Sequence, residues 1–178
     1  RLPEASAPEV QDFFARYAGT YQEDRLRNDW LLLLGQRRDW AAFAVEHPYY
    51  RMGDDREVRC YALLVEHLKN PAQDAKLADE VRKNWYAQRD ADDGCRSAAE
   101  RLVGTRNLTA LDVWQKARLA LEGNRPRAAR DAVAIVSPES AGLVAELIDS
   151  PAQFLTEKNI AIRSTRKELI TLALVRMA

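Results

Sequence analysis

The sequence carries no net charge, with 27 Lys and Arg against 27 Asp and Glu in 178 residues. Nucleic-acid and anionic-membrane binders usually show a basic excess on some face, and none shows in these totals. No apolar run approaches the ~18 residues that a membrane-spanning helix needs. Runs such as Trp30–Leu34 are broken at once by glycine or charge. Glycine and proline are scarce, seven each, and they fall between periodic segments rather than within them. No stretch of β-branched or aromatic residues alternates with polar ones, so strands are not expected. The chain has no initiator methionine. It opens on Arg1-Leu2-Pro3, as a processed protein or an excised domain would. It ends on Val175-Arg176-Met177-Ala178, inside a helical pattern, and it reads as a piece of a longer chain. The only cysteines are Cys60 and Cys95. Composition leaves open two buried thiols in a reducing compartment or one disulfide in an oxidising one.

What is present is helical periodicity. Apolar residues make up 47% and charged residues 30%, the balance of a folded domain. A chain of this length can bury a core without help from a metal or a disulfide. Val10, Phe13, Phe14 and Tyr17 fall on one face of a helix. So do Ala110, Trp114, Ala117 and Leu121; Ala129, Ala132, Val133 and Val136; and Ile170, Ala173, Leu174 and Met177. Ser150-Pro151-Ala152-Gln153 reads as a capping box with proline at the first helical position. Thr165 and Glu168 repeat the box, and Ser137-Pro138 supplies a cap with a first-turn proline. Stops are expected at Gly35, Gly53, Gly104 and Gly123-Asn124, where a left-handed residue ends a helix at little cost. The expected helices are 8–18, 21–35, 39–47, 54–69, 73–89, 94–103, 109–122, 126–136, 138–149, 151–158 and 164–177.

Helices of two to four turns are too short to be stable alone. Connections of a few residues make neighbours antiparallel. Two hairpins resemble each other, Leu34-Gly35-Gln36-Arg37-Arg38-Asp39-Trp40-Ala41-Ala42 and Leu121-Glu122-Gly123-Asn124-Arg125-Pro126-Arg127-Ala128-Ala129. Leu68-Lys69-Asn70-Pro71, leading to Ala75 and Ala78, is a looser third copy. The expected fold is all-α, a solenoid or superhelix of 10–11 short helices paired in tetratricopeptide fashion. An irregular helical bundle is the competing architecture.

Signals for chemistry are few. His47 and His67 have no metal-ligand spacing and read as structural. Asp90-Ala91-Asp92-Asp93-Gly94 begins like a calcium loop, but Cys95 and Arg101 stand where the turn glycine and the bidentate glutamate belong. It reads as a solvated acidic loop that caps the following helix. Glu139-Ser140 suggests a glycosidase acid, yet a helix N-terminus would keep that carboxylate ionised. Trp30, Trp40, Trp85 and Trp114 sit at helical spacing among Leu and Ala and read as core, with sugar stacking the minority possibility. No phosphate-binding glycine loop occurs, and nothing implies a cofactor or a metal. A small helical enzyme using scattered polar residues is the least favoured reading.

The order of segments resembles the helical, U-shaped domain of the soluble lytic murein transglycosylases. The likeness runs through Val10-Gln11-Asp12-Phe13-Phe14, Leu33-Leu34-Gly35-Gln36-Arg37-Arg38-Asp39-Trp40 and Glu57-Val58-Arg59-Cys60-Tyr61-Ala62. It continues through Asp93-Gly94-Cys95-Arg96 and Trp114-Gln115-Lys116-Ala117-Arg118-Leu119-Ala120-Leu121-Glu122-Gly123-Asn124, and residues 151–178 resemble the next helical pair. The two cysteine motifs are its most specific part. Residues 1–7 then read as a linker or the remnant of a preceding helix, and 8–178 as one domain fragment.

The resemblance implies a periplasmic protein of a Gram-negative bacterium whose parent enzyme cleaves the MurNAc–GlcNAc bond of peptidoglycan. This segment would be its non-catalytic helical scaffold. Its partners would be the linker and catalytic domains of the parent chain and, beyond them, peptidoglycan glycan strands, with no nucleic acid and no membrane span. Catalysis does not carry over: the family's Glu-Ser, Gly-Leu-Met-Gln and Asn-Ala-Gly motifs are absent, and Glu139-Ser140 has no such sequel. What does carry over is a disulfide between Cys60 and Cys95, worth roughly 3–4 kcal/mol in the chain-entropy picture. The alternative is a stand-alone tetratricopeptide-like adaptor that binds a protein or peptide in its concave face.

Overall fold

The computed structural model describes residues 4–71, 74–157 and 164–178. Among them there are eleven α-helices and no strand, so the fold is all-α. The helices are α1 (Ala7–Arg16), α2 (Tyr21–Gln36), α3 (Trp40–Glu46), α4 (Arg56–Lys69), α5 (Asp74–Ala87) and α6 (Asp93–Gly104). They continue as α7 (Ala110–Glu122), α8 (Pro126–Val136), α9 (Ala141–Asp149), α10 (Pro151–Glu157) and α11 (Ser164–Met177). Short 3-10 turns follow α3 and α8, at His47–Tyr49 and Pro138–Ser140, so the helix expected over 138–149 begins only at Ala141. The expected start at 73 and end at 158 fall outside the described residues, as does part of the turn in the third hairpin copy.

Side-chain caps start most of the early helices. Asp55 Oδ1 accepts from the backbone N–H groups of Glu57 and Val58 at 2.9 and 3.1 Å. Asp39, Asp92, Thr20 and Thr109 cap α3, α6, α2 and α7 in the same way. Thr165 is different: α11 already begins at Ser164, and Glu168 pairs with Arg118 of α7 instead of closing a box.

The stop at Gly123-Asn124 is as expected, with Asn124 left-handed, while those after α2 and α6 differ in an instructive way. Arg38, Arg106 and Asn124 hold the left-handed conformation, at φ 61, 63 and 53°. Each is followed by a residue whose N–H reaches back five positions: Asp39 to Leu34, Asn107 to Leu102 and Arg125 to Ala120. This is one Schellman closure used three times. Gly35 and Gly104 lie inside their helices, and of the glycines expected as stops Gly53 alone adopts positive φ itself. The two matching hairpins therefore align one residue away from the expected register, Leu34 with Ala120. Gly35 serves another purpose: a Cβ there would stand 2.4 Å from the Tyr61 ring, so its absence lets α2 and α4 close.

Helices two apart in sequence pack against each other: α2 on α4, α4 on α6, and α6 on α8. Asn28 reaches Asp55 while Gly35 meets Tyr61, so α2 and α4 run parallel. Cys60 is bonded to Cys95, Cα atoms 4.8 Å apart, and Arg101 Nε donates to His67 Nε2 at 3.3 Å, so α4 and α6 run parallel too. On the other side α5 packs on α7, and α7 on α11. Arg82 bonds Asp112 at 2.8 Å, and Tyr86 OH donates to the Asp112 carbonyl.

The apolar interior is divided in two. Val10, Phe14, Trp30, Leu31, Leu34, Phe43, Val58, Tyr61 and Val65 form the first core. The second runs from Cys60 and Leu64 to Ala173 and is rich in alanine. Helix α4 is the wall between them, and half-buried Trp40 touches both. In α11 the buried positions are Leu169, Leu172 and Ala173, whereas Leu174 and Met177, two of its expected stripe, are exposed.

Candidate functional site

The N-terminus of α6 is where the chain gathers its polar groups. Asp92 caps it, accepting from Cys95 N–H at 2.7 Å. Glu57, from the first turn of α4, accepts from the N–H groups of Asp93 and Gly94 at 3.1 and 3.3 Å. This approach needs glycine, because a Cβ on Gly94 would lie 2.5 Å from the Glu57 carbonyl oxygen. Arg38, in the left-handed turn after α2, forks onto both oxygens of Asp93 and donates to Ser97 Oγ at 3.0 Å. Tyr61 OH donates to the same carboxylate. The Cys60–Cys95 bond lies under this junction, both residues fully buried.

Beside the junction opens a cleft of about 300 Å³ between the C-terminal turn of α2 and the N-terminal turns of α4, α6 and α8. Gln36, Glu57, Asp92, Arg96, Arg127 and Asp131 line it, with Ala91 and Asp93. A second, much smaller pocket shares Ala91, Asp92, Arg96 and Asp131 with it and is lined also by Trp85 and Lys116. Burial pushes the Asp92 carboxyl up to about 6 and raises Glu57 as well, against the N–H groups each accepts from. Asp93 goes the other way: burial opposes its charge, but its bonds to Arg38, Tyr61 and Ser97 win. Lys116, buried behind the cleft, donates to the Trp85 and Gln88 carbonyls that end α5. Burial lowers it to about 8, despite Asp92 and Asp90 nearby.

One member of the cleft is unlike the rest. Arg96 makes no hydrogen bond or ion pair to any described residue, and its Nε is buried without an acceptor. Arg127 pairs only loosely with Asp131, at 3.9 Å across one helical turn. Glu57 and Asp92 are committed to backbone N–H groups. What the cleft leaves available is a guanidinium among carboxylates, an arrangement suited to holding a polar ligand.

The residues singled out in the sequence lie mostly elsewhere. Trp30, Trp85 and Trp114 are buried in the two cores. His67 is buried against Arg101, and His47 stacks on Phe43 with ring centres 5.5 Å apart. Glu139 lies in the 3-10 turn, where Ser137 Oγ donates to it at 2.6 Å and holds its carboxyl below the usual range. Ser140, also bonded to Ser137, is buried. The acidic stretch 90–94 does cap α6: Asp90 stays exposed while pairing with Arg125 at 2.6 Å, and the partly buried Asp93 pairs with Arg38. Among the described residues no group of His, Cys, Asp or Glu is arranged to hold a metal ion. No described helix is long and apolar enough to cross a membrane.

Sequence reasoning missed Glu57, Arg96, Lys116 and Asp131 as a group. A signal was present: Glu57 opens the motif that contains Cys60, and Arg96 follows Cys95, so pairing the cysteines brings both to one cleft. No family model matches this chain, and no curated protein or solved structure does either.

Proposed function

We propose that this chain is the non-catalytic helical scaffold of a periplasmic lytic transglycosylase acting on peptidoglycan. Its helix pairs would stack into a curved array that holds the catalytic domain and borders the path of the glycan. The observation that carries this reading is the disulfide between Cys60 and Cys95, which joins α4 to α6 where the resemblance implied a bond. The rows α2–α4–α6–α8 and α5–α7–α11 support a repeating stack. A buried disulfide fits an oxidising compartment such as the periplasm of a Gram-negative cell.

The test uses purified sacculi and two proteins, this segment and the full chain encoded by its parent gene. Release of soluble glycan fragments by the full chain, and none by the segment, is the expected result. A parent gene without a lysozyme-like domain, or a full chain inert on sacculi, overturns the reading. The open cleft with its unpaired Arg96 favours the second reading, a helical-repeat adaptor that binds a partner, and an inert parent chain would move weight to it.

A further inference from the structure

We infer that the cleft between α4, α6 and α8 is a binding site for a zwitterion, an α-amino acid or a short peptide, whose carboxylate is taken by Arg96. The cleft would serve this role under either reading of the parent chain. The inference starts from an imbalance. A buried guanidinium nitrogen without an acceptor is costly, and protein interiors rarely leave one. Arg27, Arg96 and Arg118 each bury an Nε without an acceptor, but Arg27 and Arg118 hold carboxylates on their other nitrogens, whereas Arg96, which lines the cleft, has no such partner among the described residues. The carboxylates around it do not neutralise it. Asp93 is engaged by Arg38, Asp131 lies beside Arg127, and Glu57 and Asp92 accept backbone N–H groups.

A ligand entering the open cleft could supply the acceptor that the described residues do not, and its charge can be bounded. A guanidinium fork matches a carboxylate or a phosphate. Once the Arg38–Asp93 and Arg127–Asp131 pairs cancel, Glu57 and Asp92 face Arg96 in the cleft, with Lys116 buried behind them and bonded to the Trp85 and Gln88 carbonyls. A doubly charged phosphate would meet repulsion from these two acids. A carboxylate with an adjacent ammonium presents a negative end to Arg96 and a positive end to Asp92, Glu57 and Asp131. About 300 Å³ accommodates an amino acid or a dipeptide. The walls are fixed by the disulfide and by Glu57 on the α6 N-terminus, so the ligand would find the site formed in advance.

The test is a titration of the 178-residue chain followed by the amide shifts of Asp93, Gly94 and Arg96, with alanine, alanylalanine, propionate, ethylamine and inorganic phosphate as probes. Alanine or alanylalanine should bind at least about tenfold more tightly than propionate, ethylamine or phosphate. The tighter of the two zwitterions tells whether the source is a free amino acid or a peptide. Arg96→Gln should weaken that binding by about tenfold or more, and exposed Arg127→Gln by only a few-fold. Asp131→Asn, at the half-exposed rim, should reduce the preference for a zwitterion over propionate, and it gives a reading even if Arg96→Gln does not fold. Propionate or phosphate binding as tightly as the zwitterions overturns the inference. So does zwitterion binding that survives Arg96→Gln in a folded variant, or the absence of any shift.

Discussion

The two cores on either side of α4 are built by different means. The first is filled by large rings, Phe14, Trp30, Phe43 and Tyr61, and among the described residues contains no buried alanine. The second contains nine, among them Ala98, Ala99, Ala117, Ala129 and Ala132, which let α6, α7 and α8 approach closely. Charge is distributed the opposite way. Beside the first core lie buried Glu23, Asp24, Arg27, Asn28 and Glu46. Arg27 pairs with Glu23 at 2.6 Å and with Glu46, and its guanidinium rests 3.9 Å above the Phe14 ring. Asp24 accepts from the N–H groups of Arg51 and Met52 at 2.9 and 2.7 Å, fixing the turn before α4. Beside the second core the buried Lys116 bonds the Trp85 and Gln88 carbonyls, the pairs Arg82–Asp112 and Arg118–Glu168 lie nearer the surface, and a covalent tie joins α4 to α6. Close packing of small residues tolerates little, whereas a buried ion network tolerates no missing partner.

The largest expected effect breaks the first core at its charge. Arg27→Ala leaves Glu46 buried without a counter-ion and Glu23 with only the half-exposed Arg51, and should cost about 3–5 kcal/mol, read from urea unfolding. Replacing all three together by apolar residues of similar size should cost much less, because no charge is then stranded. Removing the tie of the second core is next. The Cys60→Ala, Cys95→Ala double variant should lose roughly 3–4 kcal/mol in the chain-entropy account, in the same measurement. Non-reducing alkylation of the wild type should leave both thiols unmodified.

A smaller effect with the opposite sign is expected at Asp92. Its carboxyl is raised to about 6, so the stability it contributes is complete below its ordinary range and is lost as pH rises through 6. Asp92→Asn keeps a capping oxygen without the buried charge. It should stabilise the protein by about 1–2 kcal/mol near neutral pH and have little effect near pH 4, compared as Tm at the two pH values. The smallest change is at a helix stop. Arg106→Gly relieves a positive φ of 63° on a non-glycine residue and should raise stability by up to about 1 kcal/mol.

These contrasts also explain what could be read in advance. Ala129, Ala132 and Val133 in α8 are buried as their period indicates, because there burial and hydrophobicity coincide. In α2 they do not: Glu23, Asp24, Arg27 and Asn28 share the inward side with Trp30, Leu31 and Leu34. The helix is recognisable from its stops and length, but its buried face is hidden. Glycine misled at the helix ends, since Arg38 and Arg106 take the left-handed position while Gly35 makes room for Tyr61. The cleft was illegible for a related reason. Glu57, Arg96 and Asp131 come from three helices and share no local pattern, and only the pairing of Cys60 with Cys95 places the first two together.

Hydrogen exchange at about pH 7.5 and about pH 5, corrected for intrinsic rates, tests the division between the cores most directly. Burial against Phe43 holds His47 of the first core below its ordinary range, so stability that depends on it falls as pH drops through that range. Burial raises Asp92 and Glu57 beside the second core, so stability there grows over the same interval. The amides of α3 should lose protection at the lower pH while those at the start of α6 gain it. A uniform change along the chain, or a loss of protection at α6, would contradict two cores held by different forces.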